Sequence, residues 1–345
     1  VFIIALGVIV LAVTLLQALV YRKYWDKDLT MDFRFSGKEA FEGEGLSLYS
    51  EIVNKKPLPL PWLMVEYQLS ANLIFSGDSG FEVGETMKTG LFSVLMYRRV
   101  RRKLPFTCGK RGFYRLRRIR LSGSNLLHTQ TYHKYMQCLS DLTVFPRLLT
   151  DYEEFPLIIN NLDAMLLVRS LINPDPFTFR GLREYTPTDP LRNINFKATA
   201  IAQQLMVNIH APTSSKQLEI ILNLEHGDGC SDELFEQSIR LAATVANHYI
   251  SEDVLVGFYT NGRDVLTGEN ARIPGGTESA QLYAIYQTLG RLGLAYKPGH
   301  ISGYLDTLTD TRSVYVVISA YRGEDFVTAI GEMEARGLSV SAVRP

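Results

Sequence analysis

Glu225, His226 and Asp228 are the residues whose types and spacing could do chemistry. They follow Leu218-Glu219-Ile220-Ile221-Leu222-Asn223-Leu224, a mostly apolar run of the kind expected for a strand covered on both faces. Two carboxylates beside an imidazole could serve a hydrolase by acid–base transfer, or could ligate zinc. No second His or Cys stands at ligand spacing, which weakens the zinc reading. The chain lacks a Gly-x-Ser-x-Gly elbow, a Gly-x-x-x-x-Gly-Lys-Ser/Thr phosphate loop and a Gly-x-Gly-x-x-Gly turn. Cys230 is a lone thiol near this loop, and such a residue is more often inert than reactive. These residues make no positive case for an enzyme or a cofactor.

A second constellation is longer. Residues Phe177 to Ala200 are dense in Arg, Tyr, Asp, Asn and Lys and threaded with apolar side chains. Two readings apply to Arg183, Tyr185, Asp189, Arg192, Asn195 and Lys197. They form a docking or regulatory surface, or a structural brace in which Arg183, Asp189, Arg192 and Lys197 pair above Tyr185 and Phe196. The brace is favoured, because paired charges need no ligand to explain them.

Leu182, Arg183, Tyr185, Pro187, Asp189, Arg192, Ile194, Asn195, Lys197, Thr199 and Ala200 resemble the signature of domain-of-unknown-function family 58. Phe196 departs from it, since the family usually has Trp there. The resemblance extends over nearly the whole chain. It implies a multidomain protein: a transmembrane helix, an immunoglobulin-like β-sandwich, then an α/β Rossmann-like, von Willebrand factor A-like domain. It also implies a protein partner, a MoxR-type AAA+ ATPase, since the genes are often neighbours. In an intact metal site of the von Willebrand factor A type, Asp-x-Ser-x-Ser would supply hard oxygens to Mg²⁺. Here Asn223, Glu225 and Gly227 occupy those positions, so the site is expected to be degenerate, with Thr277 after Gly275-Gly276 as a relic of its threonine loop.

The elements that must carry these residues are legible from period. Leu29 to Phe35 and Leu46 to Val53 alternate apolar and polar, as half-buried strands do. Further strands are expected at Trp62 to Leu69, Leu91 to Tyr97, Gly112 to Leu121 and Leu142 to Phe145. After the signature, strands at 218–224, 254–259, 314–319 and 339–343 alternate with helices at 232–250, 279–292 and 325–336, the pattern of a parallel sheet. The expected domains are residues 1–25 (transmembrane helix), 26–150 (β-sandwich), 151–200 (connector with weak helix and signature) and 201–345 (α/β domain).

The chain has 345 residues, 46% of them apolar, and a net charge of zero, which argues against nucleic-acid binding by charge. Three cysteines without CxxC spacing argue against a disulfide framework and fit a reducing compartment. The chain begins at Val1 rather than Met, so an incomplete or processed sequence is expected, with room for a further helix upstream. Val1 to Tyr21 carries no charge and is long enough to cross a bilayer core. Arg22, Lys23 and Lys27 follow, which places the following domains in the cytoplasm by the positive-inside rule. Arg98, Arg99, Arg101, Arg102 and Lys103 open a basic stretch that offers contact with anionic lipid or simply a solvated sheet face.

The resulting expectation is a non-enzymatic, membrane-anchored scaffold or adaptor that presents its α/β domain to the ATPase without a metal bridge. The alternatives are a metal-dependent adhesion-type module and a hydrolase using Glu225, His226 and Asp228.

Overall fold

The computed structural model describes residues 2–75, 81–83, 87–149, 153–172, 174–187, 189–212, 216–227, 229–296 and 298–345. These form two compact units, Val1–Arg147 and Leu148–Pro345.

The first unit starts with helix α1 (Phe2–Tyr24), which is long and apolar enough to cross a membrane. Among the described residues ten strands follow: β1 (Leu29–Phe35), β2 (Glu39–Phe41), β3 (Gly45–Asn54), β4 (Leu60–Gln68), β5 (Leu73–Phe75), β6 (Phe81–Val83), β7 (Met87–Val94), β8 (Arg99–Cys108), β9 (Gly112–Ser124) and β10 (Thr131–Phe145). They make a four-stranded sheet in the order β1-β3-β8-β5 and a six-stranded sheet in the order β2-β10-β9-β4-β7-β6. All pairings are antiparallel except β2 with β10.

Alternation makes this a sandwich. Phe33, Leu48, Ile52, Leu104 and Phe106 of one sheet share a core with Leu63, Val65, Tyr67, Phe92, Leu121 and Val144 of the other. The Phe33 and Tyr67 rings meet across it at 5.4 Å. The end of α1 belongs to this core too. Tyr21 and Trp25 are buried in it, so the sandwich begins before residue 26. Trp25 lies over Gly123, where any Cβ would stand 2.6 Å from the indole ring.

The second unit contains α2 (Phe155–Ile172), β11 (Pro174–Glu184), α3 (Phe196–Ala202), β12 (Met206–Pro212), β13 (Gln217–Asn223), α4 (Asp232–Ser251), β14 (Leu255–Arg263), β15 (Asn270–Gly276), α5 (Ser279–Arg291), α6 (Ser302–Leu305), β16 (Val314–Ser319), α7 (Glu324–Ala335) and β17 (Ser339–Val343). Its main sheet runs β15-β14-β13-β16-β17, parallel throughout except for β15. Numbered within the sheet, that order is 3-2-1-4-5 with the third strand reversed.

Both faces are covered, which explains the apolar run of β13. Ile221, Tyr315 and Val317 pack with Phe326, Ala329 and Met333 on the α7 side. α4 packs against β13, β14 and β16. α4 starts where Ser231 accepts a hydrogen bond from the Leu234 amide, with Asp232 and Glu233 favourably placed at the positive end of the helix. α2 is a regular helix within this unit, with Ile159, Leu162 and Leu166 buried and Asp163 bonded to Tyr249 of α4.

Candidate functional site

In a sheet of this order, the crevice lies beyond the carboxyl ends of the strands, where neighbouring connections leave for opposite faces. Asn223 ends β13 there and pairs in register with Ser319 at the end of β16. Both are fully buried. The Asn223 amide nitrogen donates to Ser319 Oγ at 3.0 Å, and Ser319 donates onward to the Tyr321 carbonyl at 2.9 Å. Asn223 Oδ1 accepts from the Glu225 amide at 3.0 Å and from the Asn261 side chain at 2.8 Å. Asn261 Oδ1 in turn accepts from the Leu224 amide at 2.9 Å.

These three neutral side chains satisfy one another. A hard cation at this point would meet an amide N–H and a committed hydroxyl proton rather than oxygens, so the residues do not fit Mg²⁺. Gly227 adds a steric reason. A Cβ there would stand 2.5 Å from the Tyr321 ring, leaving no room for a serine unless the ring moves. Thr277 lies elsewhere. It follows Gly276, which pairs with Val256 near the amino end of β14. That is the far edge of the sheet from Asn223, about 17 Å away along the strands. The expected threonine loop is therefore not part of this crevice.

Glu225 takes a different partner from the one its sequence neighbours suggest. Its nearly buried carboxylate meets His300 Nδ1, in the loop before α6, and Asp325 Oδ2 lies 3.9 Å from the same nitrogen. One ligand atom from each residue falls within 4.8 Å of the others, close enough for the trio to hold a divalent cation. The Tyr321 hydroxyl donates to Asp325 at 3.1 Å. Burial and that bond raise its pKa above the ordinary tyrosine range. His226 points away, with its ring packed 4.6 Å from Phe235. Glu225 and His226 thus diverge, and the hydrolytic grouping is not assembled by them. Asp228 lies outside the described residues. Sequence reasoning missed His300 and Asp325, because neither is near Glu225 in the chain and neither carries a periodic signal.

The signature forms a small two-stranded sheet, β11 against β12, with a 3-10 turn and α3 between the strands. Half of the expected brace forms. Arg183 makes a two-pronged pair with Asp189, at 2.7 and 2.5 Å. Asp189 also accepts from the Thr186 amide and hydroxyl at 2.9 and 2.8 Å. The Arg183 guanidinium, then these Thr186 bonds, hold Asp189 well below the usual carboxylate range. Asn195 caps α3, accepting from the Ala198 amide at 3.0 Å, and its amide donates to Asn208 at 2.7 Å. Arg192 and Lys197 are exposed and make no ion pair among the described residues. Tyr185 is half-buried, but Phe196, expected beneath the brace, is 78% exposed. Ile201 and Leu191 are similarly open, at 78% and 70%.

In the first unit, β8 places Arg99, Arg101 and Lys103 on its solvent side by alternation. Glu51 pairs with Arg99 at 3.3 Å and with Arg101 at 2.6 Å. Arg102 faces the other way, its guanidinium 4.1 Å over the Phe92 ring. Arg98 is exposed in the turn before the strand. From Arg99 the strand runs on to Lys103, about 13 Å farther, so the five cations do not form one flat patch.

No family model matches the chain, and no curated protein matches it. Among solved structures, a cohesin from the archaeon Archaeoglobus fulgidus is similar at 11% identity and a TM-score of 0.25, covering 33% of this chain and 91% of that one. A type I cohesin from Pseudobacteroides cellulosolvens gives 14% and 0.22, over 36% of this chain and 97% of that one. The sporulation control protein Spo0M from Bacillus subtilis gives 11% and 0.20, over 46% and 58%. At such scores these are likenesses alone, and function has to come from the chain's own residues.

Proposed function

We propose that the chain is a membrane-anchored docking scaffold of the family-58 kind. Its α/β unit is of the von Willebrand factor A type and its sandwich of the immunoglobulin type. Its partner is a MoxR-type AAA+ ATPase. The observation that carries the docking role is the open signature. Phe196, Lys197, Ala200 and Ile201 share one side of α3 by helical spacing, all exposed, with Leu191 and Arg192 on the preceding turn. A capped, hydrogen-bonded frame that leaves large apolar side chains in water, with two cations that make no ion pair among the described residues, suits a partner with an apolar, acidic surface. The strand order with its reversed third strand supports the α/β assignment. The basic flank Arg22, Lys23 and Lys27 supports a cytoplasmic orientation.

The test is binding of a MoxR-type ATPase to the full chain in lipid nanodiscs. Phe196→Ala with Ile201→Asp is expected to weaken binding at least about tenfold, while chelating divalent ions leaves it unchanged. An ATPase that binds the double variant as tightly as the native chain removes this surface from the reading. A second reading, metal-dependent adhesion, draws on the convergence of Glu225, His300 and Asp325. It requires that chelation abolish partner binding.

A further inference from the structure

From the way α1 meets the sandwich, we infer that two loops of the β-sandwich enter the interface of a phospholipid bilayer alongside the helix. The inference rests on the membrane-anchor reading and adds to it a second, peripheral membrane contact. α1 is not a free stalk. Gln17, Ala18, Tyr21 and Trp25 lie on one face, half-buried or buried, while most of the helix is exposed. The Tyr21 hydroxyl donates to the Pro59 carbonyl at 2.7 Å. Tyr132, at the start of β10, stacks on Trp25 and donates its hydroxyl to the Ala18 carbonyl at 3.1 Å.

Ala18 lies about 9 Å up the helix from Tyr24, at 1.5 Å of rise per residue. If α1 spans the bilayer, its last turns bring Tyr132 and the β9–β10 turn beyond it down to the membrane surface or below. That turn is built to hold its shape. The buried Asn125 accepts from the Thr129 amide at 2.8 Å and donates to the Thr129 hydroxyl at 2.7 Å. It leaves Leu126 and Leu127 51% and 56% exposed. Trp62 stands beside it, 47% exposed, with its ring 5.7 Å from His128.

The β7–β8 turn carries Leu95, Met96 and Tyr97, all more than half exposed. It is tied to the same end of the sandwich. Asn54 donates to the carbonyls of Leu58 at 2.8 Å and Leu95 at 3.1 Å, next to the Pro59 that holds Tyr21. Two aromatic rings with polar tips, four aliphatic side chains and the exposed cation Arg98 thus flank the point where a hydrophobic helix leaves. That is the composition of a membrane-interface belt, and Arg98 matches anionic headgroups. The continuity with α1 selects lipid as the occupant over a soluble partner.

The experiment uses the full chain in vesicles of phosphatidylcholine and phosphatidylglycerol, some brominated near the headgroup end of the acyl chain and some near the methyl end. Trp62→Phe and Leu127→Trp change exposed positions and so spare the fold. The difference between native and Trp62→Phe emission reports Trp62, and the added emission of Leu127→Trp reports the tip. Expected is roughly twofold quenching of both by the shallow bromines and less by the deep ones. Carbonate-resistant flotation is read separately. A chain that floats but shows no quenching, with emission typical of water, overturns the inference and leaves the anchor standing. Unquenched, blue-shifted emission assigns the loops to a second copy of the chain and also overturns it. A chain that does not float removes both readings.

Discussion

Asn261 donates its side-chain amide to Asn223 Oδ1 at 2.8 Å, across the carboxyl ends of two neighbouring parallel strands. The bond joins two neutral groups at the crevice where ligands bind in open sheets of parallel strands. Replacing Asn223 with Asp removes the N–H that Ser319 accepts and buries a charge without a cationic partner. The variant is expected to lose about 3–5 kcal/mol of stability in chemical denaturation, and added Mg²⁺ is expected not to restore it. Recovery of the native midpoint with Mg²⁺ would mean that a single residue separates this crevice from a working hard-cation site.

Gly227 is fixed by Tyr321. Gly227→Ser is expected to cost roughly 1–3 kcal/mol through overpacking. Combining it with Tyr321→Ala should recover part of that loss, because the ring is the obstacle. A cycle of the two changes measured by thermal unfolding shows it, and purely additive losses would place the strain in the backbone instead.

Calorimetry on the full chain in detergent distinguishes the cation preferences of the Glu225, His300 and Asp325 trio. Millimolar Mg²⁺ is expected to give no heat, since an imidazole replaces an oxygen that this ion prefers. Heat that vanishes in both Glu225→Ala and His300→Ala would return the adhesion-type mechanism to the front.

The Arg183–Asp189 pair predicts acid sensitivity of the signature. The folded pKa of Asp189 is depressed, so its contribution is fully present above the ordinary aspartate range and drains away as pH falls below it. Limited proteolysis of residues 183–189 should accelerate below about pH 4 in the native chain. Asp189→Asn should be cleaved faster at neutral pH and show a flatter profile.

Lys56 is buried and donates to the Lys27 carbonyl at 2.8 Å. Burial pulls its pKa down to about 8, with Asp26 and Asp28 resisting. A lowered lysine pKa means that the unfolded state binds more protons between that value and the ordinary lysine range. The native chain should therefore gain stability relative to Lys56→Met as pH rises through this window. The gain should be on the order of 1 kcal/mol, allowing for water near the ammonium. In carbon-13-methylated protein, one lysine resonance should titrate near pH 8 and be absent in Lys56→Met. A full set of lysines titrating above 10 would refute the assignment.

Composition and period alone determined much of this molecule. An uncharged apolar run makes α1, and alternation places the half-buried strands of the sandwich. The apolar run at Leu218 to Leu222 marks a strand covered on both faces, and helical spacing recovers α4, α5 and α7 to within a few residues. These signals are local, since each follows from which side of one element meets water. The tertiary structure decided what is not local. Strand register carried Thr277 to the far edge of the sheet, and loop packing brought His300 and Asp325 to Glu225 while turning His226 onto Phe235. The capping of α3 by Asn195 left Phe196 in water although its type suggests a core residue. The last turn of α1 and Trp25 just after it entered the sandwich core where Gly123 leaves room for the indole, a fit that no periodicity in either segment announces.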